Sequence, residues 1–113
     1  MNDMITVTGL VAGKPRYMTT HDGVQVVSLR LASQRSEDGA AATTTWYTVF
    51  VIGEAAPGVA ESIRKGDRVV VSGTLRIREW GDEAHSGTSV ELTAEAIGID
   101  LMFAGTGPRR GRS

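Results

Sequence analysis

The chain has 113 residues, 41% of them hydrophobic, with 12 basic against 13 acidic side chains, a formal net charge of −1 and no cysteine. That length gives room for one domain with a core, and the absence of cysteine excludes a disulfide framework and any thiolate for catalysis or zinc. No apolar run approaches membrane-spanning length, and the first residues lack a signal peptide's basic and apolar regions, so a cytoplasmic location with no membrane partner is expected.

Residues 5–12 read as a first strand, with Ile5, Val7, Gly9 and Val11 on one side. Gly13-Lys14-Pro15 interrupts or bends it, because Pro15 cannot donate to a ladder. The turn signal His21-Asp22-Gly23 leads into a second strand near residues 24–33. There Val27, Leu29 and Leu31 share one side, and Ser28 and Arg30 the other. Residues 34–43 are small and polar and read as a hairpin loop. A third strand follows over residues 44–52, with Trp46, Thr48, Phe50 and Ile52 on one face and Tyr47, Val49 and Val51 on the other. Both faces are partly apolar, so periodicity alone does not choose the inward one.

Residues 57–65 make the one convincing helix. Pro57 suits its first turn, Val59 and Ile63 sit four apart, and Gly66 follows as a cap. A fourth strand covers residues 69–80, a turn-rich segment residues 81–88, and a last strand residues 89–99. An all-β protein is expected, a five-stranded OB-type barrel with one short helix between strands 3 and 4. Residues 1–104 form this single domain, and residues 105–113, GTGPRRGRS, a flexible basic tail.

The fourth strand carries the clearest functional signal. Val69, Val71, Leu75 and Ile77 alternate with Ser72, Thr74, Arg76, Arg78 and Trp80. One face suits a core. The other ends in two guanidinium groups and an indole, which suits a polyanion bearing flat bases, since arginine neutralises phosphate and tryptophan offers a stacking surface. Trp80 has a structural alternative as a barrel-end cap, and Trp46 as a core residue. Phe50 faces either a ligand or a subunit interface. Arg30 can converge with Arg76 and Arg78 on one sheet face. Arg64 and Lys65 have an ordinary role in complementing a helix C-terminus and are second-rank phosphate contacts. Acidic residues gather in the turns, so the local face outweighs the net charge. His21 and His85 sit in turn segments, Glu91 and Glu95 read as solvated or ion-paired, and no catalytic motif, metal cluster or cofactor loop is present. No catalytic residue, metal or cofactor is expected.

Several pieces, in order and spacing, resemble the bacterial single-stranded DNA-binding protein family of the homotetrameric type. They are Arg16-Tyr17-Met18, Leu31-Ala32-Ser33, Trp46, Arg64-Lys65-Gly66-Asp67, Gly73-Thr74-Leu75-Arg76, and Arg78 with Trp80. The likeness covers roughly residues 4–105. It implies an OB barrel that assembles through its open edges, as a homotetramer or by edge pairing as a dimer, and coats single-stranded DNA in replication, recombination or repair. By the same resemblance Trp46 and Trp80 match stacking tryptophans, Arg76 and Arg78 match basic positions beside the second, and Lys65 matches a basic residue near the helix end. Ile52 stands where the family often has a stacking phenylalanine, for which Phe50 is a substitute. Two departures matter. Ser33-Gln34-Arg35-Ser36 lacks the family's further tryptophan, and Pro108-Arg109-Arg110-Gly111-Arg112-Ser113 is basic where the family often has an acidic, apolar tip. A short tailless member is therefore expected, without tail-mediated recruitment of replication enzymes. The alternatives are an OB-fold interaction module of the replication-restart type, dimeric and with weak or no DNA binding, and a small OB-fold nuclease.

Overall fold

A computed structural model describes residues 3–35, 43–82 and 86–103. Strands β1 (Asp3–Val11), β2 (Arg16–Thr19), β3 (Gln25–Arg35) and β4 (Thr43–Ile52) precede helix α1 (Ala56–Ser62), and β5 (Arg68–Gly81) and β6 (Ser86–Ile99) follow it. One sheet runs in the order β1-β5-β6-β4-β3-β2, and β1 also pairs with β3. That extra pairing closes β1, β3, β4, β6 and β5 into a ring. All neighbours are antiparallel except β4 and β6. The expected five-stranded barrel with a helix between its third and fourth strands is what the chain forms.

Closure buries residues on one face of each ring strand, while β2, outside the ring, is exposed throughout. Val11, Val27, Leu31, Val49, Val69, Val71 and Leu92 are fully buried. The ambiguity in β4 is resolved by this packing: Val49 and Val51 point inward, leaving Trp46, Thr48, Phe50 and Ile52 on the outer face.

Two close approaches depend on missing side chains. A Cβ on Gly9 would lie 2.6 Å from the Ala32 carbonyl oxygen, where β1 meets β3. At Gly73 a Cβ would run into the Thr93 carbonyl, at a bulge that shifts the β5–β6 register between Ser72 and Gly73.

Just after the expected bend at residues 13–15 the structure adds the short strand β2, for which no element was expected; it pairs with β3 through Arg16–Ser28 to Thr19–Gln25. The hairpin between them carries the His21-Asp22-Gly23 signal, with Gly23 at φ 88° and its N–H donating to the Thr20 carbonyl at 2.9 Å. The helix is shorter than expected. It stops at Ser62 because Ile63 turns extended and buries its side chain in the core. Arg64 and Lys65 therefore lie beyond it, and Gly66, at φ 95°, donates its N–H to the Val11 carbonyl instead of capping the helix. Both long hairpins run on further than expected, to Arg35–Thr43 and to Gly81–Ser86. Of the loop expected at 34–43, residues 34, 35 and 43 belong to β3 and β4; residues 36–42, His85 and the tail at 105–113 lie outside the described residues. Among those described, no helix is long and apolar enough to cross a membrane.

Gly73→Ala is expected to lower the unfolding free energy by about 1–3 kcal/mol, since a backbone oxygen cannot yield as a side chain can. Gly13, around which a Cβ would meet nothing within 4 Å, is the control. Urea denaturation of both alanine variants checks this, and equal midpoints would show that the bulge relaxes freely.

Candidate nucleic-acid interface

Ladder register places the outward side chains in rows across the sheet. Arg30 on β3 stands opposite Thr48 on β4, Thr48 opposite Glu91 on β6, and Glu91 opposite Arg76 on β5. The next row reads Arg16, Ser28, Phe50, Thr93, Thr74 and Met4, spanning every strand of the sheet. Directly opposite residues share a face. Trp46 lies two residues along β4 from Thr48, and Arg78 and Trp80 follow Arg76 at two-residue steps on β5. Trp46, Arg30, Phe50, Arg76, Arg78 and Trp80 thus occupy one continuous outer face.

Each aromatic group on this face has a definite setting. Trp46 is 47% exposed and Trp80 50%, so neither is a core residue. The Arg30 guanidinium carbon lies 5.1 Å from the centroid of the Trp46 ring, a cation–π arrangement. Phe50 is half-buried between its neighbours Ser28 and Thr93. Ile52 and Met18 are exposed on either side of Val26, which extends the face apolarly past Phe50.

The charges are mixed. Arg78 Nη1 is 3.9 Å from Glu91 Oε2, with the arginine side chain 62% exposed and the glutamate 16%. A pair so open to water is worth at most about 1 kcal/mol, so the guanidinium is readily exchanged to another anion. Glu91, expected to be solvated or ion-paired, takes the second of these settings on this face. Its place between two arginines depends on register between strands far apart in the chain.

Arg64 and Lys65 are not brought to this face. They sit in the turn between α1 and β5, where the Arg64 N–H donates to Asp67 Oδ2 at 2.9 Å. From the start of β5 to Arg76 is eight residue steps, roughly 25 Å of strand. A cleft of about 550 Å³ also opens between β1 and the β3–β4 ribbon, lined by Thr6, Thr8, Ser33, Thr45 and Tyr47 among others. Among the described residues its lining carries neither tryptophan nor arginine, so the outer sheet face is the better match to bases and phosphates.

The model of the Single-strand binding protein family matches residues 1–100. A "Single-stranded DNA-binding protein 2" of Tropheryma whipplei (strain Twist) is 44% identical over 105 residues, covering 88% of this chain and 69% of that protein. A "Single-stranded DNA-binding protein" of Corynebacterium glutamicum is 36% identical over 110 residues, and the match spans 48% of its length. Among solved structures, a small single-stranded DNA-binding protein from Streptomyces coelicolor superposes with a TM-score of 0.77 at 34% identity, covering 90% of this chain and 97% of that one.

Arg30→Ala is expected to cost about 0.5–1 kcal/mol of stability through loss of the stacked guanidinium. It should also shift the emission of Trp46. Urea melts and fluorescence spectra check both effects, and an unaltered Trp46 signal would deny the contact.

Proposed function

The chain belongs to the single-strand binding protein family, and from that membership we propose that it coats single-stranded DNA without sequence preference. Coating would hold strands apart and shield them in replication, recombination or repair, in the cytoplasm. The observation that carries this reading is the placing of two half-exposed indoles and three arginines on one outer sheet face. Arg76 and Arg78 neutralise phosphates, and Arg78 exchanges Glu91 for a phosphate oxygen as DNA arrives. Trp46 and Trp80 stack on bases of any identity, because every base has a π-face. Phe50 lies beneath the same track, and Arg30 supports the Trp46 ring while offering its outer N–H groups. Lys65 and Arg64, away from the sheet face, would meet only DNA that wraps past the helix end. The work is binding without turnover: no bond is made or broken.

Self-association fits the same reading. Ile77, 63% exposed on the inward side of the β5–β6 arm, and Leu101 and Met102 after β6 are apolar surface that a second copy would cover. We place the assembly at four copies, with two as the alternative, and sedimentation equilibrium distinguishes them.

A fluorescence titration with long oligo-dT at low and high salt tests the function. Strong tryptophan quenching with steep salt dependence is the expected result. No binding even at low salt would favour the interaction-module alternative.

Trp80→Ala is expected to weaken oligo-dT binding about 5- to 150-fold, the equivalent of about 1–3 kcal/mol for one stacked base, with little change in the urea midpoint. Unchanged affinity in the folded variant would remove Trp80 from the interface. The double change Arg76→Ala with Arg78→Ala should make the slope of log affinity against log salt shallower by about 1.4, for two phosphates on a single strand. If the slope holds, these arginines do not contact phosphate.

A further inference from the structure

We propose that Gly87 is the seat of the Trp80 indole, a positioning residue that fixes the ring for base stacking; this rests on the single-stranded DNA reading above. In the β5–β6 ladder Trp80 stands directly opposite Gly87. A Cβ on Gly87 would run into Cζ2 of that ring and lie 2.8 Å from Cε2 and 3.1 Å from Cη2. The six-membered part of the indole therefore occupies the space above the strand where a side chain would otherwise stand.

Nothing in the local backbone calls for glycine there. Among the described residues the positive-φ glycines are Gly23, Gly53, Gly66 and Gly81, and Gly87 is not among them. At Gly87, the second residue of β6, the ring takes the space that a side chain would fill, as when an aromatic ring covers a strand glycine. The seat matters because Trp80 has no core to hold it: every residue of β5 from Arg76 onward is exposed. Seated on bare backbone, the indole keeps half its surface open to solvent and presents it outward. A ring already held in place loses less freedom when a base stacks on it, which strengthens binding without adding a contact.

The chain has two tryptophans, so Trp46→Phe leaves Trp80 as the reporting indole. In that background Gly87→Val should shift the free protein's emission to the red and increase quenching by acrylamide. With both tryptophans present, Gly87→Val should lower oligo-dT affinity about fivefold or more, approaching the loss of one stacked base, with the salt slope unchanged. In a Trp80→Ala background the same change should alter affinity by less than about twofold, as expected of a residue that acts through the ring. Gly87→Ala, the smaller intrusion, serves where the valine variant folds poorly by circular dichroism. An equal loss with and without Trp80 overturns the positioning role, and so does unaltered emission with unaltered affinity. Failure of the unmutated chain to bind oligo-dT fails the DNA reading and takes the positioning role with it. The emission of the unbound protein then shows separately whether the ring rests on Gly87.

Discussion

The fold turns on the meeting of β1 with β3, where Leu10 faces Ala32 and Val11 faces Leu31. This short stretch converts an open sheet into a ring and so gives each strand an inside and an outside. It is possible because Gly9 has no Cβ to strike the Ala32 carbonyl. Inside, valine and leucine fill the ring to complete burial. Burial of each such side chain contributes about 1.5–3 kcal/mol, which is the main source of stability in a barrel this small. Outside, side chains are released from any packing duty. Guanidinium and indole groups can stand there at little cost to folding.

A second constraint is length. β5 and β6 are each 14 residues, about 45 Å when extended, which is more than the ring can cover. Burial along β5 alternates through Gly73 and is gone from Arg76 onward. The remainder is a two-stranded ribbon, and such ribbons are marginal in water without cross-strand support. Here support comes from Arg78 against Glu91 and from Trp80 laid over Gly87. Arg78 and Trp80, which help hold the ribbon, are thus also exposed on it. Under the proposed function, a base stacking on Trp80 would meet a ring whose other side is already occupied.

Electrostatics explain how a chain of net charge −1 can offer a surface to a polyanion. Field at a surface follows the local arrangement of charge, screened over about 10 Å at ordinary salt. Arg30 and Arg76 end the row that Thr48 and Glu91 occupy between them, and Arg78 stands beside it. Glu91 lowers the positive potential of the row while holding Arg78 over the sheet. In the proposed reading, the attraction of this surface for a polyanion rests on a few arginines plus stacking, where a densely basic groove would rely on charge alone.

The alternation of Val69, Val71 and Leu75 with Arg76, Arg78 and Trp80 set the two faces of β5 from the sequence, because a period of two is a local property of an extended backbone. The helix between the third and fourth barrel strands and the His21-Asp22-Gly23 turn were legible because their signals are also local. In β4 the local signal failed: Trp46 and Phe50 on one face and Tyr47, Val49 and Val51 on the other are both apolar, and only the neighbours across the ring decide which is buried. The end of the helix was likewise set from outside, by the burial of Ile63, and that displaced Arg64 and Lys65 from the place their spacing suggested. Gly87 beneath Trp80 and Glu91 between Arg76 and Arg78 are matters of register between separate strands. The sequence by itself determined which side chains share a strand face, since that needs only the geometry of one backbone. Which faces meet, which row each residue joins and what lies under the indole were decided by the tertiary structure, because those depend on pairings between segments the chain brings together only on folding.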